Sequence, residues 1–467
     1  MRLMKTTTPC TPGTQKVRRE ATGSKRAPGW EWQGAGRRVR RASASALTTG
    51  KVDRCLSGVG GLASFNCFVQ AQGVPKQLYS KFGHLKQGRG VVYPMHTQMQ
   101  LLIDAAVVGA KRVYDIEGLA TDPLFTHLAG GAVPSVDVLY DDLRRLGPDE
   151  LEKMEEMVAE QGLELVRAGS FERLTIDVDT TVTTVFGEQE GAEVGYNPRC
   201  HGRRSYHPIL ARVAETDTIL GARLRPGDTT LGEADVEDID QYIDRAHAAA
   251  PNAVLTVRID AGGDCAPLLK AIDGKSAYFL VKLDQTANLI SEVWATRSWT
   301  TIDCDADDKP SRQVAEIAFK RKDWPAGRYK VFAVRTNERL TGKQTELWSD
   351  SDLSVTVFVT NDKDRDIDDL ARLYDDRAGI EPLIGELKNA FGIGKVSTGS
   401  FEANEAALLL KMLAYNLMRR WIAATCVGKS RSWRAGWIRR ACVLIPARLL
   451  RIGGRWILRL APRPLLN

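Results

Sequence analysis

Apolar residues recur at intervals of three and four from about Val59 to Leu165, clearly in Gln98 to Val108 and Val138 to Leu146. That period predicts helices, and Pro148-Asp149-Glu150 opens another over Leu151 to Gln161. Between Glu172 and Arg225 the period shortens to two. Arg173 to Asp179 reads as a strand, with Leu174, Ile176 and Val178 on one face and Asp177 and Asp179 on the other. Ile209 to Val213 and Ile219 to Arg225 read as two more strands. A helix near Glu233 to Ala250 then leads into the buried strand Ala253 to Ile259. Short strands continue through Tyr278 to Leu283, Tyr329 to Val334 and Leu353 to Val359, among Trp294, Trp299, Trp324 and Trp348. After Asp366 the pattern is helical to about Leu460, and Ala441 to Leu460 reads as a basic helix pair broken at Gly453-Gly454.

At about 150 residues per domain, 467 residues allow roughly three domains. Hydrophobic residues at 43% and charged residues at 26% suit a water-soluble globular chain. No stretch has the uninterrupted apolar length of a secretion signal or membrane span. The eight cysteines form no C-x-x-C pair, which points away from disulfide scaffolds and zinc ribbons toward a reducing compartment. Charge is segregated. The segment up to Cys55 holds about thirteen Lys/Arg against Glu20, Glu31 and Asp53, and the chain beyond Glu405 holds about thirteen more with no acid. With a total of +7, the centre is acidic and both ends are basic, as a polyanion partner requires. Residues 1–55 carry too little apolar surface to offset ordering entropy and are expected to be disordered.

Carboxylates mark the chemistry. Asp179 closes the first strand and is followed by Thr180-Thr181; Asp260 closes the buried strand and runs into Ala261-Gly262-Gly263. Ligands of open α/β sheets gather at such strand ends. Asp177 shares the face of Asp179, so either suits a metal ligand. Further on, Tyr374, Arg377, Glu381 and Lys388 form Y-x2-R-x3-E-x6-K. At about 100° per residue these four share a helical stripe roughly 60° wide, with one carboxylate among cations. A solvated salt-bridge face has the same spacing. Arg199 to Arg204 is a basic loop suited to DNA through Arg203 and Arg204, or equally to a solvated turn.

Together, the Asp179-Thr180-Thr181 strand end, the Asp260 strand end and the Y-x2-R-x3-E-x6-K stripe resemble Asp-Asp-Glu (DDE) transposases of bacterial insertion sequences, in the Tyr-Arg-Glu-Lys subgroup. Gly195-Tyr196-Asn197-Pro198, Ser205-Tyr206-His207-Pro208, Leu224-Arg225-Pro226-Gly227, Ser400 to Asn404 and Leu413 to Leu417 extend the likeness over about Ser57 to Leu460. The turn Gly262-Gly263 departs from it, replacing an aromatic-containing turn, and Pro382 directly follows Glu381.

The resemblance implies an α/β chain with an RNase H-like catalytic core, a mixed sheet with helices. The expected parts are a basic head (1–55), a helical N-terminal domain (56–168), the first part of the core (169–282), a β-rich insertion (283–361), the Glu-bearing core helix (362–398) and a basic helical C-terminal region (399–467). It further implies two Mg²⁺ ions, replaceable by Mn²⁺, on Asp179, Asp260 and Glu381, with Tyr374, Arg377 and Lys388 on DNA phosphates. Double-stranded DNA at element ends and target, a homodimer in synapsis, no membrane, and a cytoplasmic, nucleoid-associated location complete the expectation. Two other readings fit the same residues: a catalytically decayed DNA-binding protein that occupies element ends, and a stand-alone metal-dependent nuclease.

Overall fold

The computed structural model describes residues 53–337, 353–396, 398–426 and 433–462. Nearly all of the basic head expected over 1–55 lies outside the described residues, as does Trp348.

Nine strands form the main sheet: β1 (Arg173–Thr180), β2 (Ile209–Val213), β3 (Thr218–Arg223), β4 (Val254–Ile259), β5 (Tyr278–Lys282), β6 (Thr300–Cys304), β7 (Pro310–Glu316), β8 (Lys330–Asn337) and β9 (Leu353–Thr360). Their order across the sheet is β6-β7-β8-β9-β5-β4-β1-β2-β3. Strands β1, β2 and β3 form an antiparallel meander; β4 lies parallel to β1 and β5 parallel to β4. Helices Val236–Ala249 and Ala266–Gly274 supply the crossovers that parallel pairing requires. This is the expected RNase H-like core. Strand β9 adds antiparallel to β5 through Val281↔Val359, so the β-rich insertion continues the core sheet and covers the β5 edge.

The two faces of the central strands differ. Leu174, Ile176, Val178, Leu255, Val257 and Ile259 join the apolar core beneath the crossover helices. On the other face Thr175, Asp177, Arg212, Thr256 and Arg258 are buried despite being polar. Arg212 and Arg258 among them reach a helical segment made of helix Ile367–Asp375, a 3₁₀ turn Asp376–Gly379, helix Ile380–Glu386 and a π turn Leu387–Phe391, which lies over this face.

Helices Leu62–Ala71, Val74–Phe82, Met95–Val108, Val136–Leu143 and Pro148–Arg167 share one core with the long helix Phe401–Thr425. Asn416, on that helix, donates to the carbonyls of Val158 (2.9 Å) and Ile219 (2.7 Å) and accepts from the Ile219 amide at 2.8 Å. One buried amide thus joins the helical region to β3.

The expected C-terminal helix pair is corrected by the structure. Ala447–Ile452 and Arg455–Leu460 are antiparallel strands, and Leu56–Ser57 pairs with the first of them. Gly453 (φ +56°) and Gly454 (φ +78°) make a two-residue turn with both φ positive, which favours a hairpin and opposes a helix. The spacing of Leu, Ile and Arg fits either structure, and the turn together with pairing to a distant segment decides between them.

Candidate active site

Parallel pairing of β1 and β4 places Val178 beside Ile259, so Asp179 and Asp260 follow at equivalent positions on adjacent strand ends. Asp260 accepts from the Gly262 amide (3.1 Å), capping the short turn Ala261–Gly263. A Cβ at Gly263 would lie 2.5 Å from Ile259 Cγ2, so glycine is what lets this turn fold onto the strand end. The departure seen in the sequence is therefore a packing requirement.

One turn of sheet inward, Asp177 is fully buried between its cross-strand neighbours. Arg258 donates through Nε to Oδ1 (2.6 Å) and through Nη2 to Oδ2 (3.0 Å), and Arg212 donates through Nε to Oδ2 at 2.9 Å. Both carboxylate oxygens are occupied, which ties Asp177 into the sheet and leaves Asp179, at the strand end, to meet Arg377. The same arginines reach the covering segment: Arg258 donates to the Leu373 carbonyl, and Arg212 to the Gly379 carbonyl at 2.8 Å. A Cβ on Gly379 would stand 2.6 Å from Arg212 Nη2. Sequence reasoning missed Arg212 and Arg258. Their signal was a charged residue inside each of two otherwise apolar strands, at positions that turn out to flank Asp177.

Arg377 projects from the 3₁₀ turn and is itself buried. Its Nη2 lies 3.4 Å from Asp179 Oδ1, 3.9 Å from Asp260 Oδ2 and 3.3 Å from the Val178 carbonyl. Burial pushes the Asp179 carboxyl up to about 6; Arg377 opposes the shift, while Asp260 and Glu381 add to it as like charges. Glu381 is exposed on helix Ile380–Glu386 and lines, with Asp260, Tyr374, Arg377, Lys282 and Arg312, an open cleft of about 650 Å³. Pro382 sits in the first turn of that helix, where a missing amide hydrogen costs little.

The rest of the stripe is divided. Tyr374 places its hydroxyl 3.5 Å from the Ile259 carbonyl and its ring 4.4 Å from Phe358, and burial pushes its phenol up to about 12. Lys388 donates to the Val182 carbonyl at 3.0 Å; burial lowers its pKa and Arg199 adds to that, with Asp179 opposing. Arg203 and Arg204 are exposed at a small sheet formed by Thr183–Thr184, Arg204–Tyr206 and Glu193–Val194. In the insertion, the Arg335 guanidinium covers the Trp299 ring at 4.2 Å, whereas Trp294 is exposed.

As a metal site the arrangement fits in chemistry more than in closure. The donors are hard carboxylate oxygens, and Asp179 is crowded by two like charges, as suits a divalent cation. Among the described residues, however, no three Asp, Glu, His or Cys side chains stand close enough to share one ion. Arg377 is the cation now joining Asp179 and Asp260.

Among the described residues no helix is long and apolar enough to cross a membrane. No curated protein matches the sequence. A cryo-EM structure of piggyBac transposase, in a synaptic complex with hairpin DNA, aligns with 81% of this chain and 78% of its own at 9% identity and a TM-score of 0.41. The family model described as Transposase DDE domain group 1 matches residues 43–464, nearly the whole chain, and the chain belongs to the DDE transposase family.

Proposed function

We propose that this transposase cuts DNA at the ends of a mobile element and joins the freed ends to a target. The observation that carries the reading is the meeting of Asp179 and Asp260 on Arg377, with Glu381 on the same cleft. Asp179, Asp260 and Glu381 are the residues that would hold divalent metal, which supplies charge stabilisation to the attacking and leaving oxygens of phosphoryl transfer. Arg377 keeps the two aspartates together against their mutual repulsion. Tyr374 lines the cleft, Lys388 reaches the backbone just past the Asp179 strand through Val182, and Arg203 and Arg204 offer exposed charge to phosphates. In the first step a water oxygen bonds to phosphorus and the bond to the 3′ oxygen breaks, that oxygen taking up a proton and leaving as a hydroxyl; in the second, that 3′-hydroxyl oxygen bonds to a phosphorus of target DNA and the target's own P–O3′ bond breaks, releasing a target 3′-hydroxyl. The action on duplex DNA by a pair of subunits, one at each end, belongs to the same proposal.

One observation favours a second reading, a DNA-binding protein that has lost its chemistry: the three carboxylates do not close on a single ion among the described residues. Nicking of a duplex bearing the element's ends, with Mg²⁺ or Mn²⁺ supplied, separates the two. The enzyme reading expects cleavage that falls to background in Asp260→Ala and Glu381→Ala while DNA binding persists. Equal cleavage by Asp260→Ala would show the site to be misplaced, and absence of cleavage by the parent would favour the second reading.

A further inference from the structure

The C-terminal hairpin has two unlike faces. Residues directly opposed in an antiparallel pair share a face, so the register Ala447↔Leu460, Leu449↔Leu458 and Arg451↔Trp456 defines one side. That side is anchored. Ala447 and Leu449 of the inner strand are buried and the Leu449 amide donates to the Cys55 carbonyl at 2.9 Å, while on the outer strand Trp456 and Leu460 stay about half exposed, the Trp456 ring lying 4.6 Å from His127.

The register Arg448↔Arg459, Leu450↔Ile457 and Ile452↔Arg455 defines the other side, which faces solvent. Two arginines stand directly opposite each other there, a pairing that costs stability in a sheet. Between the cations, Ile452 and Ile457 are 49% and 39% exposed, and Leu56, opposite Arg448 on the neighbouring strand, is 55% exposed. The chain beyond Glu405 is itself devoid of Asp and Glu, so this stretch is basic throughout. The outer strand Arg455–Leu460 carries Arg455 and Arg459, so a second copy laid along this edge meets like charge. Beyond the short Leu56–Ser57 pairing the hairpin continues as a two-stranded ribbon, and solvent-facing arginines interleaved with aliphatic side chains on it match duplex DNA, whose major groove admits such a ribbon.

We propose that this ribbon is a DNA-binding surface separate from the catalytic cleft. Arg455 and Arg459 contact phosphates, and Ile452 and Ile457 lie against base edges such as thymine methyl groups. The proposal rests on the transposase reading only for the identity of the polyanion; it requires no catalysis.

The test measures binding of the full-length protein to a fluorescent duplex across about 50 to 200 mM salt. Arg455→Gln with Arg459→Gln is expected to weaken binding and to reduce the slope of log affinity against log salt by about 2, since each lost phosphate contact removes roughly 0.9. Arg455→Lys with Arg459→Lys keeps the charge and is expected to retain the parent slope, which separates lost charge from lost folding. Ile457→Ser is expected to weaken binding with the slope unchanged. The proposal is overturned if the Gln pair binds with parent affinity and slope, or if it alters only self-association in sedimentation. Nicking is measured on the same proteins. A parent that nicks while the ribbon variants bind normally overturns the ribbon alone, whereas a slope change without nicking overturns only the catalytic reading.

Discussion

Asp177 and Asp179 are two residues apart on one face of one strand, yet their surroundings differ sharply. Asp177 lies between Arg212 and Arg258 and acts as a structural anion; Asp179 sits at the strand end, beside Arg377 and within reach of the fields of Asp260 and Glu381. Removing one member of a buried ionic group costs about 3–5 kcal/mol, because the remaining charges lose their partner. Another carboxyl shows what burial does without a cationic partner. Asp104 accepts from Asn66 Nδ2 at 3.1 Å and Gln100 Nε2 at 2.9 Å, and burial pushes it up to about 7, against those hydrogen bonds. A carboxyl raised on folding favours the native state below its unfolded value near 4, and loses that contribution as pH rises to about 7. Asp104→Asn is therefore expected to melt above the parent at pH 8, the gap widening from pH 4 to pH 7. A gap independent of pH in thermal denaturation would contradict this account.

At the scale of elements, Glu381 depends on how its segment is held to the sheet. The segment is not one straight helix: the 3₁₀ turn Asp376–Gly379 and the π turn Leu387–Phe391 interrupt it. The even stripe expected from Tyr374, Arg377, Glu381 and Lys388 is consequently split, with Arg377 turned into the sheet and Glu381 left exposed on the cleft. Arg212 and Arg258 hold the segment by its carbonyls at Gly379 and Leu373. Beyond it, Arg439 donates to Ala390 at 2.6 Å and to Ala106 and Val107 at 2.7 and 2.9 Å, joining its far end to helix Met95–Val108. Gly379→Ala forces Arg212 to move. The expected outcome is a loss of about 1–3 kcal/mol in denaturant unfolding, with nicking reduced more than DNA binding. Unchanged stability would mean that Arg212 yields without cost.

Across the whole molecule, the helical region and the sheet share the core around Phe401–Thr425, and Asn416 is one of the polar links between them. Asn416→Ala leaves the Ile219 amide and two carbonyls short of a partner, each buried group costing about 1–3 kcal/mol. Denaturant unfolding is expected to show a large drop in midpoint, and a midpoint within error of the parent would show that the two regions do not depend on this contact. The sequence alone made the central strands legible, because a sheet with one apolar and one polar buried face imposes period two on Arg173 to Asp179. It also marked Asp179, Asp260 and the Tyr374 to Lys388 stripe, because charge at strand ends and on a helix is a local pattern. It did not reveal the C-terminal hairpin, whose strands are fixed by a glycine turn and by pairing with Leu56–Ser57 nearly 400 residues away. Nor did it distinguish Asp177 from Asp179. Local periodicity determines which side chains share a face, but which carboxylate is enclosed by Arg212 and Arg258 and which meets Arg377 depends on strand register and on the segment laid over the sheet, and those are relations between distant parts of the chain.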